Sequence, residues 1–402
     1  MVLVSFPSFS QNSSLKDIER LVRKNQFETA RQELKQYVAS WDELSDEQKT
    51  YYHLLNSQVS VIEYYNATEI DSFLTISIEN LNKVEELEVK NKVSKYSKEA
   101  QLIKNDLLAH LVNKAIVESN GNAYTQAAKT FLNAYQLSKR DTVFLYQSAG
   151  MALNGKDNAF AVDRYKELIG LNYNGKDKVF VATNVFSNTV ESFGKDEKIR
   201  DQAIKSGVYS NPQTIEENSK KPSIYKNLAS ILIHQNNFSQ GEFYALKAQE
   251  LNPKDLDVYM MLFHLYMKTD RLFRFQEFKE KALKEFPNTT QLYYNLGVVY
   301  YNLGYYDLAK ENFELGLKID PLDYNINKAI GSLLLENDYK ITKELNALTD
   351  NRSNRQKRKE LTERKKMNYE TILNHFEVAL EKNSADDNLK KIIQDLKSYI
   401  QQ

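Results

Sequence analysis

The chain has 402 residues, with 54 Lys plus Arg, 54 Asp plus Glu and no cysteine. Its 42% hydrophobic content builds a sizeable core and excludes a disordered chain, over a length that suits one elongated domain or two to three compact ones. A formal net charge of zero gives no global attraction to nucleic acid or an anionic membrane, and the missing cysteines exclude disulfides, thiolate metal sites and cysteine nucleophiles.

Residues 1–10, MVLVSFPSFS, are apolar and uncharged, and the chain turns polar at Gln11. The small-x-small ending SFS has the form of a signal-peptidase site, so 1–10 reads as the remnant of a signal peptide. The competing reading is a frayed cytoplasmic N-terminus. No later apolar run approaches the roughly 18 residues of a membrane span.

Residues 11–172 carry helical patterns in irregular form. Ala30 and Leu34 follow a turn at NQF (25–27), and Tyr52, Leu55 and Val59 share one face of a further helix. Ala127, Phe131 and Ala134 mark another. Leu145, Ala149 and Ala152, then Ala161, Tyr165 and Leu168, predict a complete antiparallel pair over 142–172. Between them, GMALNGKD (150–157) nearly spells a phosphate-binding loop. Asp157 replaces the hydroxyl that would ligate magnesium, and the segment follows a helix rather than a strand, so Gly155 reads as a turn.

Residues 173–221 interrupt the helices. VFVATN (179–184) and TVESFG (189–194) are short and β-rich, with VFSN between them, and predict one small β-hairpin. A short helix, DEKIRDQAIKSGV, and a loop, YSNPQTIEENSKKP, complete the insertion.

Regularity begins at 222 and runs to 335. Shifted by 34 positions, Pro253, Pro287 and Pro321 align, as do Tyr225, Tyr259 and Tyr293, and Leu228, Leu262 and Leu296. Ala248, Ala282 and Gly316 form a column of small residues. Over 290–323, Tyr293, Leu296, Gly297, Tyr300, Ala309, Phe313 and Pro321 stand in the order that resembles the tetratricopeptide repeat (TPR). Gly297 and Ala309 are small where two helices cross closely, NLGYYD (302–307) is the turn, and Pro321 ends the second helix. The resemblance implies an all-α fold, a right-handed TPR-type superhelix of antiparallel helix pairs carrying the small β-hairpin. In such solenoids the first helices line a concave groove that accepts a peptide or partner helix. Here that face would present Lys226, Ser230, His234, Met260, His264, Met267, Tyr294, Val298 and Tyr301, either as an open anchor site or as contacts to neighbouring helices. Repeats that clamp a C-terminal carboxylate need asparagines and several lysines. Ser230 and Met261 stand where asparagines are expected, and only Lys226 fits.

Residues 336–368 form a basic insertion, with ten Lys or Arg against four Asp or Glu over 340–366. No aromatic residue lies between Tyr339 and Tyr369 to stack a base, so the stretch reads as a long solvated helix joining the one that resumes at Met367. Residues 369–402 then supply a repeat helix, with Ile372, Phe376 and Ala379 facing inward, and a capping helix opening at Asp386 and Asp387.

The segments ATN (182–184), RDQAIKSG, KPSIYKNLA (221–229), LYYNLGVVYYNLG (292–304) and NHFEVALEKN, with SFSQ at the start, resemble exported TPR proteins of Bacteroidota bacteria over nearly the whole chain. The five histidines show no metal-ligand spacing, and no acid/base or nucleophile motif appears. No catalytic residue, cofactor or metal is expected. The expected function is a non-enzymatic scaffold of the periplasm or cell envelope, binding a protein or peptide partner. The alternatives are a cytoplasmic scaffold contacting RNA through 340–366 and a structural subunit of an envelope complex.

Overall fold

The computed structural model describes residues 14–66, 71–349 and 351–401. The signal-peptide reading of 1–10 lies outside the described residues. By contacts the chain divides into two compact units that meet in sequence after Ile224.

The first unit opens with α1 (Leu15–Arg23), whose Ser14 and Asp17 form a reciprocal cap, and α2 (Phe27–Tyr37). A single 3-10 segment, Val38–Glu43, leads into α3 (Asp46–Asn66), α4 (Asp71–Asn91) and α5 (Ser97–Asn120). Then come α6 (Tyr124–Leu137), α7 (Thr142–Asn154) and α8 (Asn158–Gly170). Ala30 and Leu34, Tyr52, Leu55 and Val59, and all six expected residues of the α7–α8 pair are buried. The near phosphate loop is the turn of that pair: Gly155 caps α7, and the Asp157 carboxylate accepts the Phe160 N–H at the start of α8. The sequence reading did not place α4 and α5. Leu74, Ile78, Leu81 and Val84 are buried at helical spacing on α4, and that spacing was the available signal.

The 173–221 insertion is a three-stranded antiparallel sheet, which corrects the single hairpin. Strands β1 (Lys178–Asn184) and β2 (Val190–Ser192) pair as expected. The segment read as a loop supplies β3 (Tyr209–Glu216), which pairs with the other edge of β1, so the order is β2-β1-β3. Polar residues and Pro212 hid β3, and the register shifts beside Thr183. Helix α9 (Glu197–Lys205) packs against the sheet, with the Arg200 guanidinium 5.1 Å from the centre of the Phe180 ring.

Helix α10 (Lys221–His234) contains the division between units. The second unit continues with α11 (Phe238–Leu251), α12 (Leu256–Lys268), α13 (Leu272–Glu285), α14 (Thr290–Asn302) and α15 (Tyr306–Ile319). The paired helices turn on residues with positive φ: Asn236 at 60°, Asp270 at 54° and Gly304 at 79°. Short polar side chains and glycine tolerate that left-handed conformation best. The core is aromatic. Phe263 lies 5.2 Å from Phe275, Tyr266 5.5 Å from Phe278, and Phe275 5.7 Å from Tyr300. The columns of tyrosine and phenylalanine seen in the sequence are thus packing residues, in the edge-on and tilted geometries that aromatic quadrupoles favour.

The basic segment is not one insertion before a resumed helix. It lengthens two helices, α16 (Tyr324–Ala347) and α17 (Arg355–Lys382), which run side by side. Nor is it wholly solvated, because Ile341, Leu361, Asp338 and Lys365 are buried within it. Arg358 donates to the carbonyls of Leu345 and Leu348 and so satisfies the last turn of α16. Helix α18 (Asp387–Ile400) closes the unit over Ile372, Phe376 and Ala379.

Candidate functional site

The expected groove residues sit on α10, α12 and α14, and the structure divides them into two groups. Ser230, His234 and His264 come together. With Ile233 and Met261 they line an open hollow of about 310 Å³ between α10 and α12. Both imidazoles are exposed, and His234 Nδ1 lies 2.7 Å from the Ser230 carbonyl oxygen. Spacings of three and four residues put Ser230, Ile233 and His234 on one face of α10. Ile233 was not expected there, and Met261 was read only as standing where an asparagine is expected. Met261 is one position from the expected Met260; both are half-buried against the core, and Met261 also borders the hollow.

Met260, Met267, Tyr294, Val298 and Tyr301 form the second group. All five are half-buried and pack against the aromatic core of the second unit. The Tyr294 ring lies 6.1 Å from Phe313, and Tyr301 lies 5.5 Å from Tyr306. A hydrogen bond to Glu336, aided by burial, raises the Tyr301 phenol above its ordinary range. Lys226 stands apart from both groups. Its ammonium is 2.8 Å from Asp255 and 3.3 Å from Asp257. Burial disfavours its charge, but the two carboxylates more than offset this, and its pKa is raised. A lysine already neutralised by two carboxylates is a poor receptor for a third.

Of the other three histidines, His110 packs edge-on to the Tyr64 and Tyr65 rings, and His53 and His375 bond to asparagines. His53 Nδ1 meets Asn80 Oδ1 at 2.7 Å and His375 Nδ1 meets Asn327 Oδ1 at 2.8 Å. Burial lowers the pKa of both. Among the described residues no three His, Cys, Asp or Glu side chains converge as a metal site, and no helix is long and apolar enough to cross a membrane. A larger hollow in the first unit, about 500 Å³, is lined by Asn82, Glu85, Lys104 and Arg140. Two of its cations share one carboxylate: Lys104 is 2.7 Å from Glu85 and Arg140 is 3.7 Å from it.

The tetratricopeptide repeat family matches residues 290–321. Among curated proteins, the BBSome complex member BBS4 of Bos taurus is 32% identical over 117 residues, 29% of this chain and 22% of that protein. The match therefore spans about a fifth of that relative's length. Similar solved structures include a tetratricopeptide repeat protein from Parabacteroides merdae, at 11% identity and a TM-score of 0.38, covering 85% of this chain and 99% of that one. The C-terminal part of a TPR repeat-containing protein from Cytophaga hutchinsonii is 12% identical with a TM-score of 0.41, covering 72% of this chain and 93% of that one.

Proposed function

We propose that this chain, a tetratricopeptide repeat protein, is a non-enzymatic scaffold of an exported compartment that holds a peptide or helix of another protein against α10 and α12. The observation that carries the reading is the hollow of Ser230, Ile233, His234, Met261 and His264, where two first helices leave apolar surface open beside two imidazoles. An apolar side chain seated there loses its water contact, and such anchors dominate the energy of small interfaces. Methionine suits the role because its unbranched side chain adapts to different shapes. The saturation of Lys226 by Asp255 and Asp257 argues for a side-chain anchor and against a terminal carboxylate. The name of BBS4, a complex member, accords with a scaffold. Export is supported by the apolar opening residues and by the resemblance to exported Bacteroidota repeat proteins.

Peptides selected from a random display library on the full chain test the binding reading. The selected peptides share an apolar anchor and lose binding in Ser230→Phe, which fills the hollow, and in His264→Glu, which charges its rim. Peptides that bind both variants as they bind the parent place the site elsewhere. Fractionation of the native cells tests the location, and recovery in the cytosol overturns export.

A further inference from the structure

Helices α12 to α15 each span 13 or 14 residues, whereas α16 spans 24 and α17 spans 28. At 1.5 Å per residue the pair reaches roughly 15 Å or more past its neighbours. The overhang borders the α14–α15 turn, and two hollows lie along it. One, about 350 Å³, is lined by Gly304, Tyr305, Tyr306, Leu308 and the α16 residues Asn337 and Lys340. The other, about 410 Å³, is lined by Asn337, Lys340, Ile341, Glu344, Arg364 and Met367. They meet at Asn337 and Lys340, which makes one trough along a side of α16.

The trough combines exposed apolar surface with unpaired positive charge. Tyr305 is 50% exposed, Leu308 41% and Met367 63%. The groove methionines and tyrosines, by contrast, are half-buried against the core. Neither Lys340 nor Arg364 is paired with a carboxylate among the described residues, and the Lys340 ammonium rests 5.5 Å from the centre of the Tyr306 ring. Glu344 is taken by Lys357 at 3.0 Å. The surrounding arm is basic, with ten cations against four anions over 340–366. Asp307 and Glu344 sit among the cations of the trough. They would repel the unbroken line of phosphates in a nucleic acid, whereas a peptide can place carboxylates opposite Lys340 and Arg364 and other side chains between them.

We infer that the trough is a second docking site, and that it takes an acidic, extended segment of a partner protein. Its carboxylates lie against Lys340 and Arg364, and its apolar side chains lie on Tyr305, Leu308 and Met367. Opposite charge steers the approach and fixes the register, and the apolar contacts hold the complex.

The test is fluorescence anisotropy on the full chain with three labelled probes at about 100 mM salt. They are a short synthetic peptide alternating Glu with Leu, its Gln counterpart, and a short oligouridine. The acidic peptide binds and the Gln peptide does not. The double variant Lys340→Glu, Arg364→Glu weakens the acidic peptide by about tenfold or more, because reversing two facing charges converts attraction into repulsion. Met367→Ser weakens it at unchanged salt dependence, and Ser230→Phe leaves it intact, which separates this site from the α10–α12 hollow. Lys340, Arg364 and Met367 are exposed, so circular dichroism of their variants stays that of the parent. Three results overturn the inference: equal peptide binding in the charge-reversed chain, tighter binding of the oligouridine through the same two residues, or self-association in sedimentation at the same salt that Lys340→Glu abolishes, which would make a second copy the occupant.

Discussion

A methyl group built on Gly297 would lie 2.3 Å from Cε1 of Phe313, and one on Gly331 would lie 2.3 Å from Cε1 of Phe376. Both rings are almost fully buried, so neither can swing away. Gly150 on α7 has nothing within 4 Å of the same position. The two kinds of helical glycine therefore respond oppositely to alanine. Gly150→Ala stabilises by about 0.5–1 kcal/mol, the usual helix preference of alanine over glycine. Gly297→Ala destabilises by about 1–3 kcal/mol, because overpacking outweighs that preference. Urea unfolding of the two variants decides the matter, and a shared sign means that the crossing is looser than described. Asp386 gives a second result at this scale. Its carboxylate accepts from Lys328 Nζ at 2.6 Å, the Tyr324 hydroxyl at 2.7 Å and the Leu389 N–H at 3.0 Å. These bonds, Lys328 first, hold its pKa far below the usual carboxylate range. The unfolded chain thus takes up this proton first as the pH falls. The stabilisation is fully present above an ordinary Asp pKa of about 4 and is lost below it. Asp386→Asn should flatten that part of the stability profile, as read from melting temperatures between acid and neutral pH. An unchanged acid limb would show that Asp386 contributes nothing to it.

Elements were legible where burial repeats at one spacing. The pairs from α10 to α15 follow from columns such as Tyr259 with Tyr293, and the α7–α8 pair from helical spacing such as Ala161, Tyr165 and Leu168. Strand β3 was illegible because a three-stranded sheet with one polar edge strand leaves no alternation in YSNPQTIE, seven of whose eight residues are exposed. The α16–α17 arm was misread for a related reason. Its contact side includes a charged pair, so polarity suggested solvent. Lys365 lies 3.4 Å from Asp338, donates to Thr342 Oγ1 at 2.6 Å, and sits 5.2 Å from the centres of the Tyr369 and Tyr399 rings. Lys365→Ala leaves a buried carboxylate with only the Tyr369 and Thr342 hydroxyls, and one of its oxygens already has no partner. Removing one member of a buried pair costs about 3 kcal/mol or more. Hydrogen exchange in 336–368 should rise sharply in that variant, and the double change Asp338→Leu, Lys365→Met should restore most of the protection. Protection unaltered by Lys365→Ala would show that the arm is held by its apolar contacts alone. The groove was legible only in part, because sequence columns identify the helix that faces outward but not which residue of two neighbours, Met260 or Met261, turns to the hollow.

At the scale of the whole molecule, most of the described residues lie in helices, and the three strands among them are short. Far-ultraviolet circular dichroism should accordingly be dominated by the helical double minimum, and a strand-dominated spectrum would contradict the fold. The charge balance has a subtler outcome. The chain is neutral only as a sum. Residues 340–366 carry six more basic than acidic groups, so the rest of the molecule carries six more acidic than basic ones. A neutral chain that gathers positive charge on one segment keeps a local field there that the net charge hides. At low ionic strength that segment attracts acidic surface on other copies of the chain. Salt screens such fields within about 10 Å at 0.1 M, so the second virial coefficient from light scattering at neutral pH should be negative in low salt and climb toward zero as salt is added.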